Sequence, residues 1–216
     1  MTPREAMGPM RRDQIVRATI RCLARDGYAG LTMKRVAREA GLSQGILHYY
    51  FRDKRDILGA AAERVIADLD RRVAAAASRA HSAPERLRAL IRTCFAVATR
   101  DREYWTVFIE FWGEVLHDRR LATLNRRSYT RARRLIARGL ARGIRSGEFR
   151  AVVPEEAALV VLGMVDGMSL QLTFDRAALR VSRAQRLAEE ALLAYLAPPA
   201  PARRPRKDAT SSRRTP

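Results

Sequence analysis

The chain has 216 residues and a formal net charge of +19, from 42 Lys and Arg against 23 Asp and Glu, so a polyanionic partner, most simply DNA phosphate, is expected. Cys22 and Cys94 stand apart in apolar surroundings with no Cys-x-x-Cys and no Cys/His cluster, and read as reduced core residues rather than a disulfide framework or metal site. With no secretory segment and no apolar run near 18 residues, the expectation is a soluble, cytoplasmic protein with no membrane partner.

Residues 1–9 contain Pro and Gly and are expected to be a disordered lead-in. A helix is predicted from about Arg11 to Arg25, burying Ile15, Val16, Thr19, Ile20, Cys22 and Leu23, and Asp26-Gly27 ends it. The stretch from Thr32 to Lys54 organises everything around it. Thr32 is a good N-cap for a short helix whose Val36, Ala37 and Ala40 share a face. Gly41 supplies the positive φ that stops this helix, and Leu42 plugs the corner. Ser43 caps a second helix carrying Gln44 to Tyr50, and Asp53 with Asp56 opens a third. Helix, glycine turn and helix in a basic setting form the helix-turn-helix pattern.

Val36-Ala37-Arg38-Glu39-Ala40-Gly41-Leu42-Ser43 followed by Gly45-Ile46-Leu47-His48-Tyr49-Tyr50-Phe51 and Lys54 resembles the DNA-binding segment of TetR-family transcriptional regulators. His48 departs from the Tyr usual there. The resemblance implies a three-helix head over about residues 10–56. Its recognition helix presents Gln44, Gly45 and Ile46 to base edges in the major groove. Gln44 can pair bidentately with adenine, and Ile46 can pack on a thymine methyl. His48 and Tyr49 point toward phosphates, Thr32 and Lys34 touch the backbone or groove edge, and Lys54 pairs a phosphate at a helix N-terminus. Leu47, Tyr50 and Phe51 are assigned to the head's core.

A larger all-α body is expected over residues 57–197. A long helix from Lys54 to about Ala80 ties it to the head, and an amphipathic helix runs from Glu85 to Arg100. Asp101 to Leu116 holds both Trp residues, with Trp105, Phe108 and Trp112 on one face. A long basic helix then runs to about Arg145; its Arg excess is read in part as a compositional habit. Glu155 to Phe174 is apolar nearly all round and must be covered on more than one side. With a last helix from about Ser182 to Leu196, it is the candidate homodimer interface, where Gly163 and Gly167 permit close approach. Residues 198–216 read as a disordered basic tail.

The Trp105-x-x-Phe108-x-x-Phe111-Trp112 run, His117-Asp118 and Asp166-Gly167 resemble the C-terminal domain of choline-sensing, BetI-type regulators. That resemblance implies a small-molecule effector site lined by Trp105, Phe108, Trp112 and Asp166. Rings and nearby carboxylates, Glu110 and Glu114 among them, are what an organic cation requires; an aromatic core at helical spacing is the plainer alternative. The leading expectation is a repressor that binds a palindromic double-stranded DNA operator as a homodimer and needs no cofactor. A nonspecific architectural DNA binder and a helical enzyme are the competing classes. The scattered His48, His81 and His117, with no phosphate loop, argue against the enzyme.

Overall fold

A computed structural model of the chain describes residues 3–175 and 180–199, with side chains from Gly8 onward. Among them are nine helices and no strand: α1 (Pro3–Gly30), α2 (Met33–Glu39), α3 (Gln44–Tyr50), α4 (Lys54–Ala77), α5 (Ala83–Arg100), α6 (Arg102–Val115), α7 (Arg119–Arg145), α8 (Pro154–Phe174) and α9 (Val181–Leu196). The all-α expectation holds. The lead-in does not: α1 opens at Pro3. Pro is tolerated in a first helical turn, and Arg4, Glu5, Ala6 and Met7 favour helix, outweighing the Gly8-Pro9 pair that suggested disorder. The basic tail expected over 198–216 lies outside the described residues beyond Pro199.

Short-range chemistry fixes the element ends. Thr32 accepts from the Arg35 N–H at 3.1 Å, Ser43 from Ile46 at 3.2 Å, and Asp53 from Asp56 at 2.8 Å. Gly41 takes φ 65°, and behind it Leu42 N–H donates to the Ala37 carbonyl at 2.9 Å and Gly41 N–H to Arg38 at 3.1 Å. This paired closure satisfies two otherwise orphaned carbonyls and sets the angle between α2 and α3. Gly27 (φ 64°) breaks α1 before its last turn, where the sequence places the helix end.

Two apolar clusters hold the chain. The first joins Ile15, Ile20 and Leu23 of α1, Val36 of α2, Leu47 of α3 and Ile57, Leu58 and Val65 of α4. Val107, Phe108 and Phe111 of α6, with Leu121 of α7, belong to that same cluster, so the aromatic helix packs on α1 and α4, which frame the helix-turn-helix. Leu87, Ile91 and Phe95 of α5, Ala137 and Leu140 of α7, and the inner faces of α8 and α9 form the second. Burying one large apolar side chain contributes about 1.5–3 kcal/mol, and both clusters contain several that are wholly enclosed.

Helix α8 corrects one sequence expectation. It is long and apolar enough to cross a membrane by length and composition, because an 18-residue window tolerates its one or two charges. Only 33% of that window is buried within the chain. Ala157, Val161, Val165 and Leu172 face inward, whereas Leu159 and Val160 are exposed and a Cβ on Gly163 or Gly167 would meet open space. Leu187 and Ala191 of α9 are exposed as well.

Candidate nucleic-acid interface and effector site

Helix α3 sorts its seven residues cleanly. Leu47 is fully buried and Tyr50 half-buried, with Phe51 enclosed just beyond, while Gln44, Gly45, Ile46, His48 and Tyr49 are exposed. Gln44 and His48, one turn apart, approach to 3.4 Å through their side-chain nitrogens, so both lie on one outward face. Tyr49 is 84% exposed, its ring edge-on to Tyr50 at 5.1 Å. A seven-residue helix cannot support itself, and α3 is held by its Ser43 cap and by Leu47 in the shared cluster.

The flanking positions are Thr32, Lys34 and Lys54. Thr32 and Lys34 are exposed at the start of α2, and the Thr32 hydroxyl already accepts as a cap. Lys54 opens α4, but its ammonium sits 3.8 Å from the centre of the Tyr28 ring, a contact that the sequence did not foretell. A cation over a ring is held by the ring's negative face and keeps its N–H donors for an oxygen ligand. Asp53, beside it, also accepts from Arg120 at 2.9 Å. Burial opposes its ionisation, yet the Asp56 N–H and Arg120 hold its carboxyl below the usual range.

In the body, Trp105, Phe108 and Trp112 do come together. Their ring centres lie 5.9–6.1 Å apart, with the two indoles edge-on. Trp105 donates its indole N–H to the Thr173 hydroxyl at 2.6 Å, joining α6 to α8. Asp166 is not against the rings by any direct bond. Two turns before Thr173 on α8, about 10 Å along the axis, it accepts from the Tyr129 hydroxyl at 2.8 Å. Burial raises the Asp166 pKa against the pull of that bond, and burial together with the Asp166 charge raises Tyr129. Burial, then the charges of Asp166 and Asp70, push the nearby Cys94 thiol up to about 12. It is a protonated core thiol.

The two glutamates once weighed as cation partners turn elsewhere. Glu114 accepts from Arg55 Nε at 3.2 Å and lies beside the Tyr28 hydroxyl, whose pKa is pushed up to about 12 by burial and then by the Glu114 charge. A Cβ on Gly27 would stand 3.0 Å from Glu110 Oε1, so Glu110 too faces α1. Helix α6 therefore reaches α8 through Trp105, while Phe108 and Phe111 lie in the first cluster and both carboxylates turn to the head.

Residues 15–61 match the bacterial regulatory protein tetR family, and residues 83–197 match the BetI-type transcriptional repressor C-terminal family. The chain belongs to the TetR family of transcriptional regulators. Over 201 residues, it is 30% identical to the HTH-type transcriptional regulator BetI of Burkholderia thailandensis, covering 91% of this chain and 98% of that protein. The BetI of Stenotrophomonas maltophilia is 34% identical over 57% of this chain and 64% of its own length. A solved regulator from Saccharomonospora viridis in complex with choline superposes with a TM-score of 0.78 at 25% identity, over 86% of this chain and 97% of that one.

As a TetR-family regulator the chain is not an enzyme. Its matched segments meet the geometry: the first spans the capped α2–α3 pair and the start of α4, the second everything from α5 to α9. Sequence reasoning overlooked Tyr129, Thr173, Tyr28 and Arg55. Tyr129 alone left a trace, as the single aromatic residue of α7, with a polar tip that needs a partner when buried.

Proposed function

We infer that this regulator is a repressor that reads a palindromic operator as a homodimer and is released by a small organic cation. The observation that carries the reading is α3, which exposes Gln44, Gly45, Ile46, His48 and Tyr49 on a face that its own chain leaves uncovered. Base contacts come from Gln44 and Ile46. Thr32, Lys34, His48, Tyr49 and Lys54 meet phosphates and fix the register. One head offers too few base contacts for specificity, and two heads about a two-fold axis read inverted half-sites. The apolar seam of Leu159, Val160, Gly163, Leu187 and Ala191 supports pairing through α8 and α9 with a second copy. Lipid is the poorer cover, because Asp166, bonded to Tyr129 of α7, sits midway along α8 with Glu155 and Glu156 at its start.

The effector binds beside Trp105, Phe108 and Trp112, with Asp166 as counter-charge. The BetI relatives and the choline complex of the Saccharomonospora viridis regulator favour a choline-like cation. Ring faces stabilise such a cation by about 2 kcal/mol when it is desolvated. Lowering operator affinity a hundredfold takes a preference of about 2.7 kcal/mol for the released state. Because α6 touches both the effector rings and the head, its displacement moves α4 through Glu114 and Arg55. Acting on chromosomal DNA, the protein works in the cytoplasm.

Sequencing of genomic fragments retained by the protein is expected to yield one inverted repeat. Sedimentation should give twice the chain mass, and choline or betaine should change tryptophan emission and release the repeat. Retention of unrelated fragments alone defeats the operator reading. Neutral and cationic ligands acting alike defeat the cation.

A further inference from the structure

Helix α7 carries ten Arg and no Asp or Glu in 27 residues, whereas α4, nearly as long, mixes both signs. Compositional habit would scatter those arginines round the helix. At 100° per residue, Arg120, Arg127, Arg131, Arg134, Arg138, Arg142 and Arg145 instead fall within roughly 80° of arc. All seven are exposed. Arg120 is paired with Asp53 and Asp118, and Arg131 with Asp70. Arg127, Arg134, Arg138, Arg142 and Arg145 have no carboxylate partner among the described residues. Like charges three and four apart destabilise a helix by about 0.2–0.5 kcal/mol per pair, and for those five no carboxylate among the described residues offsets that repulsion.

The surface around the stripe is shaped as well as charged. A groove of about 500 Å³ is lined by Arg126, Arg127, Thr130, Arg131, Arg134 and Arg138. A second, of about 600 Å³, shares Arg127 and continues between α7 and α4 to Arg120, Arg55 and Arg12 at the head. From Arg120 to Arg145 the stripe is about 37 Å long, close to the roughly 34–36 Å of one duplex turn. Its cations are all guanidinium, with the forked donors that suit phosphate. Its first cation, Arg120, bonds Asp53 at the head, and Gly143 near its other end packs on Ala83 and Phe149 of the body cluster, so the stripe extends from the head along the body.

We propose that α7 is a second DNA surface, on which the phosphate backbone of another duplex segment lies without sequence preference. The regulator then holds two duplexes, one read by α3 and one clamped by α7. This rests on the reading of α3 as the operator contact, and the test separates the two.

The full-length protein is bound to bead-linked operator fragment and challenged with a labelled random-sequence 40-base-pair duplex. Wild type should capture the random duplex, with affinity falling about a thousandfold between 50 and 200 mM salt if six phosphates are engaged. The combined variant Arg127→Gln, Arg134→Gln, Arg138→Gln and Arg142→Gln keeps helix-forming residues on an exposed face. It should hold the operator within twofold of wild type while capture drops at least tenfold and the salt effect shrinks to about tenfold. Equal capture by variant and wild type, or none by wild type, overturns the proposal. Vesicles of phosphatidylglycerol bound with the same dependence on the four arginines overturn the DNA assignment in favour of an anionic surface. If no operator is retained but the random duplex still depends on the four arginines, α7 stands and the α3 reading falls.

Discussion

Replacing Glu114 by Ala tests how the head is tied to the body. The wild-type carboxylate accepts from Arg55 Nε at 3.2 Å and lies beside the Tyr28 hydroxyl on the head side. A hydrogen bond to a charged group contributes about 1.5–3 kcal/mol. Arg55, 43% exposed, can turn to water, so its share falls toward the 0.2–1 kcal/mol typical of exposed pairs. Tyr28 is less free to rehydrate and keeps about 1 kcal/mol of the loss. The sum is about 1.2–2 kcal/mol, or roughly 2–8 °C in Tm for a chain of this size. Calorimetry on Glu114→Ala, Arg55→Ala and the double variant should give a coupling of at least about 0.5 kcal/mol between the two positions. Operator release by the effector should weaken in the same variants, since α6 would then slide without drawing α4. Additive melting shifts within about 0.3 kcal/mol, with undiminished release, would refute this connection.

Gly143→Ala should be destabilising despite alanine's better helix propensity, because the new Cβ would stand 2.5 Å from the Phe149 ring and 2.6 Å from the Ala83 Cβ. The strain costs about 1–3 kcal/mol, and a denaturant midpoint equal to or above that of wild type would contradict it. Stability should fall on both pH flanks. Asp118 is held low first by the Leu121 N–H and then by Arg120, so its contribution is present above its ordinary value of 3.8 and is lost as pH drops through the depressed folded value. Asp166, raised by burial, works in the opposite sense on that flank. Tyr28 contributes fully below its ordinary value of 10 and loses that contribution as pH rises toward 12, so Tyr28→Phe should flatten the alkaline flank in urea titrations. Gln44→Ala should relax base preference, whereas Lys54→Ala should weaken all sequences alike and lower the salt slope by about one; gel shifts on operator and scrambled DNA distinguish them.

What could be read from the sequence was short-range. Thr32, Ser43, Asp53 and Gly41 act on backbone groups within five residues, and so the boundaries of α2, α3 and the start of α4 followed from residue type alone. The i, i+3, i+7 spacing of Trp105, Phe108 and Trp112 likewise put three rings on one face. Pairings across 37 and 59 residues, Tyr129 with Asp166 and Arg55 with Glu114, leave no periodic signature. The second turned Glu114 toward the head, and a separate long-range contact, with Tyr28, gave Lys54 a ring for a neighbour. Arginine phase on α7 was present in the sequence all along, hidden by a composition in which Arg is common everywhere.

The membership of Val107, Phe108 and Phe111 in the same cluster as Leu47 and Val36 bears on how such regulators can be recombined. A head cut off near residue 57 would leave those apolar faces wet and lose Leu58, Ala61 and Val65 from its own interior. A chimera that gives this head a foreign sensor would therefore need α4 and the head-facing side of α6 from the same parent. On the proposed effector site, specificity for DNA and for effector would be inherited together, because Phe108 of that site lies in the same cluster as Leu47 of α3.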